Sequence, residues 1–191
     1  RKKYNRWEAA REKAYNGSVQ HFLNSMINGS TEEEGFGLNL VQYDSVASEY
    51  TTPLNPPPIH EILELRKTDK DYLFTLHAES DVEVTYRGEF EDSSYKKLYR
   101  STSRGGSYKY TDRKVRASIA LTDSQNLSSY QTFGLDANDV EIFQKSVIFF
   151  LNFDTPIVFP GQFTNPRDVL FSGWWRWGAF SDFLPLNYRP D

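Results

Sequence analysis

Cysteine is missing from all 191 positions. A disulfide framework, a thiolate zinc site and a cysteine nucleophile are therefore excluded. The compartment stays open, because a chain without thiols is at home in either redox regime. Histidine is nearly as scarce, at His21, His60 and His77. His60-Glu61 precedes Glu64, where a helical zinc-protease pair would need a second histidine. His77-Ala78-Glu79 resembles the start of a deaminase signature, but that chemistry also needs paired cysteines. No serine stands in a nucleophile elbow, and Gly105-Gly106 is not followed by the lysine of a phosphate loop. No apolar run reaches the roughly 18 residues that read as a membrane-spanning helix. Basic charge is not in excess either: the net charge is −4, so only local patches of the chain suit nucleic acid. No pattern for a cofactor or a metal ion is found. These absences point away from an enzyme.

Aromatic residues are abundant, with 12 Tyr, 14 Phe and 4 Trp. Length and composition fit one folded domain of α+β type over residues 1–191, able to bury a core without metals or disulfides. Residues 1–29 read as a helical segment that projects from, or caps, a sheet-based body at 30–191. Tyr4, Trp7, Ala14, Val19, Phe22, Leu23 and Met26 fall near helical spacing. Gly17 interrupts that pattern and predicts a kink or two helices, and Gly29 predicts the stop. A polar loop follows at 30–37, then a strand at 37–43, a proline-stiffened connector around Pro56-Pro57-Pro58, and an apolar stretch at 59–66 read as a strand.

The clearest pattern lies at 72–121, which predicts a meander of antiparallel strands with one solvated face. Phe74, Leu76 and Ala78 form one inward row, Val82, Val84 and Tyr86 a second, and Val115, Ala117, Ile119 and Leu121 a third. Gly88 within a strand predicts a bulge, and Ser103 to Ser107 a hairpin turn. The spacing of Val140, Phe143, Val147, Phe150 and Leu151 predicts a second helix near 136–151, packed with the first on one face of the sheet.

Two features carry the functional expectations. Residues 79–92 hold six acids and one base, Arg87. Residues 96–116 then hold eight bases and one acid, Asp112. Lys96, Lys97, Arg100, Arg104, Lys109, Arg113, Lys114 and Arg116, with Tyr108 and Tyr110 among them, form a candidate surface for a protein or another anionic partner. Opposed charge in one chain also permits self-association. Cations interleaved with rings allow single-stranded nucleic acid as a further alternative. The second feature is Trp174-Trp175-Arg176-Trp177, whose rings either close the core or line an aromatic pocket for a lipid or carbohydrate. The preferred expectation is a non-catalytic interaction or assembly domain, with ligand binding as the alternative. Arg1-Lys2-Lys3 fits the cytoplasmic flank of a membrane anchor upstream of Arg1 as well as an exposed helix start. The compartment is open, with an extracytoplasmic or membrane-associated setting slightly favoured.

Overall fold

The computed structural model describes residues 2–44, 49–53, 56–92, 94–95, 143–178 and 188. The chain opens with two helices, α1 (Lys2–Tyr15) and α2 (Val19–Asn28). Their break is built locally. Gly17 takes a left-handed backbone at φ +71°, and Ser18 starts α2 by accepting the His21 N–H on its side-chain oxygen at 3.1 Å. Gly29, at φ +73°, ends α2 as a left-handed cap.

Nine strands follow among the described residues: β1 (Phe36–Asp44), β2 (Glu49–Thr51), β3 (Leu63–Lys67), β4 (Leu73–Ala78), β5 (Asp81–Phe90), β6 (Phe143–Phe150), β7 (Asp154–Val158), β8 (Gln162–Phe163) and β9 (Val169–Gly173). Two short helical turns, α3 (Ile59–Ile62) and α4 (Trp174–Gly178), precede β3 and follow β9. The strands form two antiparallel sheets, ordered β2-β1-β5-β6-β9 and β3-β4-β7-β8. This is an α+β fold with antiparallel sheets.

Register explains the core. Leu38 pairs with Val84, which pairs with Ser146, and Leu40 lines up with Val82 and Ile148 in the same way. In the second sheet Leu76 lies opposite Leu65 on one side and Thr155 on the other, and Phe74 opposite Ile157. Both inward rows join Phe22, Leu23 and Met26 of α2 in one continuous cluster. Phe22, Leu23, Leu76, Val82, Ile148 and Ile157 are fully buried, and each contributes roughly 1.5–3 kcal/mol by leaving water.

Four expectations need correction. Strands β4 and β5 are not neighbours in a meander; each belongs to a different sheet. A two-residue hairpin at Glu79-Ser80 would set Leu76 opposite Glu83 and mix the apolar and acidic rows on one face. A corner between sheets turns both apolar rows inward. The remainder of that meander, at 96–121, lies outside the described residues. Second, the part of the expected 136–151 helix that is described, 143–150, is strand β6. Val147-Ile148-Phe149-Phe150 is apolar without a period, and such a run suits a central strand held between β5 and β9. So the described core takes Phe22, Leu23 and Met26 from α2, Ile62 from α3 and Trp175 from α4, and not a pair of long helices on one face. Third, Ile59–Ile62 is a helical turn, not the start of a strand, because Pro58 sets a backbone from which the turn can begin. Fourth, the outer face of β5 and β6 is not fully solvated: Glu83 is 6% exposed and Val147, opposite it, 5%.

Candidate ligand pocket

Three parts of the fold meet around one pocket of about 620 Å³. The first wall is the end of α1 and its junction with α2. Ala10, Lys13 and Ala14 stand at i, i+3 and i+4, so they share one helix face, and Asn16, Ser18 and Gln20 continue the wall. The second wall is the far end of β5 with Gln144 of β6. Pairing between β5 and β6 slips between Tyr86 and Phe90, which is the bulge that Gly88 predicts. Glu89 within that bulge, and Phe90 and Asp92 after it, line the pocket. The third wall is aromatic: Phe171 of β9 with Trp174, Trp175 and Trp177 of α4.

Each tryptophan is fixed differently. Trp175 is buried. Its backbone N–H donates to Ser146 Oγ at 3.1 Å, and its Nε1–H donates to the Gly17 carbonyl at 2.6 Å. Its ring packs against Phe22 and Phe171 at 5.5 and 5.7 Å. Trp174 and Trp177 are half-buried and lie 5.0 Å apart at a 39° tilt. Tyr95 meets both edge-on, at 5.3 and 5.5 Å. Edge and offset contacts of this kind hold rings in place while leaving flat faces available.

The polar lining is also organised. Gln144 is only 3% exposed, and its Nε2–H donates to Glu89 at 3.1 Å. That bond fixes the amide orientation and leaves Oε1, itself buried, with no hydrogen-bond partner among the described residues. Asp92 accepts the Ser94 N–H at 2.7 Å, and that bond, supported by the charge of Lys13, lowers its pKa.

Behind the pocket lies His21, buried at the same helix junction. The Gly17 N–H donates to its Nδ1 at 3.1 Å, and its Nε2 lies 2.6 Å from Glu34. Nδ1 is therefore the acceptor, and the proton sits on Nε2. Tyr15 stacks on the ring at 4.7 Å, with Phe36 and Tyr86 edge-on at 4.8 and 5.6 Å. Burial in these rings lowers the His21 pKa, and the Glu34 hydrogen bond and charge oppose it only in part. Burial likewise raises the pKa of Tyr86, assisted by the charges of Glu89 and Glu34.

A separate polar row crosses the outer face of the four-stranded sheet. His77 Nδ1 lies 2.7 Å from Asp154, and Arg66 bonds Glu64 at 2.6 and 2.9 Å and reaches Asp154 at 3.4 Å. The carboxylate that meets His77 is thus Asp154 on β7, not Glu79. The row is largely solvated, and its pairs form an ion-pair ladder across β3, β4 and β7. Among the described residues no three histidine, aspartate or glutamate side chains cluster to hold a metal ion, and no helix is long and apolar enough to cross a membrane.

The sequence-predicted residues divide cleanly. Trp174, Trp175 and Trp177 come together at the pocket. Lys96, Lys97, Arg100, Arg104, Tyr108, Lys109, Tyr110, Arg113, Lys114 and Arg116 lie outside the described residues. The acidic stretch is less available than its composition implies: Glu83 and Glu91 are buried, and Asp81 and Glu89 half-buried. Sequence reasoning missed Lys13, Asn16, Glu89 and Gln144 as pocket residues. The small residues Ala10 and Ala14 flanking Lys13 were the available signal for the α1 wall; Gln144 had none, because β6 reads as a helix. No protein-family model, curated protein or solved structure matches this chain.

Proposed function

We propose that this domain binds a small organic ligand in the pocket enclosed by α1, the β5 bulge and α4. The observation that carries the reading is the cavity of about 620 Å³ with three tryptophans on one wall and Lys13, Asn16, Glu89 and Gln144 on the others. Its volume falls within the roughly 300–1,000 Å³ of small-molecule sites, and its mixture of rings and a few directed polar groups is what such sites share. The test is a thermal-shift screen with a metabolite library. A ligand at about 100 times its Kd adds roughly 2.7 kcal/mol, or about 5–11 °C in a domain of this size. The shift is expected to vanish in Trp177→Ala. A screen in which no compound raises Tm in the parent, or in which Trp177→Ala responds equally, counts against the pocket.

Association with a second copy of the chain is a second reading. Its support is an exposed apolar patch at one end of the five-stranded sheet. Leu170, on edge strand β9, is 55% exposed and lies opposite Phe149; Leu151 and Phe153, just beyond β6, are 63% and 47% exposed. The charge-complementary route to self-association has less support, since much of the acidic stretch is withdrawn from solvent.

A further inference from the structure

We infer that the ligand of this pocket is a neutral saccharide; the inference rests on the ligand-binding reading and narrows it to a chemical class. Three observations choose the class. The first is charge. Among the described residues the lining carries one cation, Lys13, and two carboxylates, Glu89 and Asp92. Both carboxylates are engaged, Glu89 by the Gln144 amide and Asp92 by the Ser94 N–H. A phosphorylated or carboxylated ligand would meet two anions against one cation, and a cationic ligand would meet carboxylates already in use beside Lys13.

The second observation is where the polar groups stand. Asn16, Lys13, Glu89 and Gln144 come from α1, from the α1–α2 junction and from both strands of the bulge, so polarity surrounds the aromatic wall instead of forming a rim. An acyl chain laid across these groups would desolvate them without return, at about 1–3 kcal/mol for each group. Sugar hydroxyls both donate and accept, so one ring can satisfy the mixed set. Gln144 shows the mixed set in one residue: its amide N–H is turned to the Glu89 carboxylate, and its oxygen is packed against Gly17.

The third observation is the wall itself. Trp174 and Trp177 are half-buried, braced from one side by Tyr95, and tilted at 39° to each other. A sugar ring has one apolar face of C–H groups and a girdle of hydroxyls. The apolar face fits a braced indole, and the girdle then points to the polar walls.

The experiment is saturation-transfer NMR and tryptophan emission on the full chain with a panel of neutral mono- to tetrasaccharides, dodecanoate and AMP. Two variants accompany the parent. Trp177→Ala removes a ring of the wall. Ala10→Trp plugs the pocket from an exposed helix position, so it blocks binding without opening the core. Saccharide signals in the parent, weakened at least tenfold in both variants, are expected. Binding of dodecanoate or AMP alone, abolished by Ala10→Trp, overturns the saccharide class and leaves the pocket standing. No binding by any probe overturns both.

Discussion

Gly17 is where helix geometry, core packing and the pocket meet, and replacing it with alanine tests all three. The backbone there has φ +71°, which an L-residue adopts at a cost of roughly 1–2 kcal/mol. A Cβ would also stand 2.5 Å from Gln144 Oε1 and 2.6 Å from Tyr86 Cδ1. Tyr86 is buried among His21 and Phe36, so it has little room to withdraw. Overpacking of this kind costs about 1–3 kcal/mol. Gly17→Ala is therefore expected to lose about 2–5 kcal/mol, seen as a fall in the urea midpoint at unchanged slope and a drop of about 4–20 °C in Tm. Gly29→Ala supplies the control. Its φ is +73°, but a Cβ there meets nothing within 4 Å, so it carries the dihedral cost alone, about 1–2 kcal/mol. The difference between the two variants isolates the steric contribution. If Gly17→Ala is no worse than Gly29→Ala, the packing of the helix junction against β5 and β6 is wrong as described.

Two further outcomes follow from the geometry. His21 has a folded pKa below the ordinary value of 6.5, so the unfolded chain takes up that proton first and stability falls as pH drops from about 7.5 through 6.5 toward the lower folded value. Glu34, Tyr86 and Tyr15 are the ionisable groups that face the ring. His21→Gln is expected to remove that part of the pH dependence, read as the difference between parent and variant urea midpoints from pH 7.5 to 5.5; a flat or opposite difference refutes it. For self-association, Leu170→Glu is expected to shift sedimentation toward the monomer, and a parent that sediments as a monomer at every concentration rejects the second reading.

The sequence made some elements plain because their causes are local. Gly17, Ser18 and Gly29 set the two helices within a few residues of themselves, and the alternation in β1, β4 and β5 declared which side chains turn inward. The pairing of strands was not legible, because Glu79-Ser80 can serve a hairpin or a corner and only the shared core decides between them. Strand β6 was hidden for the opposite reason: Val147 to Phe150 are apolar at every position, which leaves no period to read. The site divides along the same line. Adjacent tryptophans announced the aromatic wall. Lys13, Glu89 and Gln144 are far apart in the chain and acquire a common purpose only when α1 crosses the bulge between β5 and β6.

The Gly17 peptide is held from both sides, its N–H by His21 and its carbonyl by Trp175, a residue 158 positions away. During synthesis α1 and α2 emerge before strands β1 to β9, yet the hydrogen bond that closes their joint waits for α4. Contacts spanning so much chain form late and slow the final step of folding. The pocket is therefore completed after the nine described strands, and a nascent chain halted before α4 holds β1 to β9 and Phe171 but none of the three tryptophans of the aromatic wall.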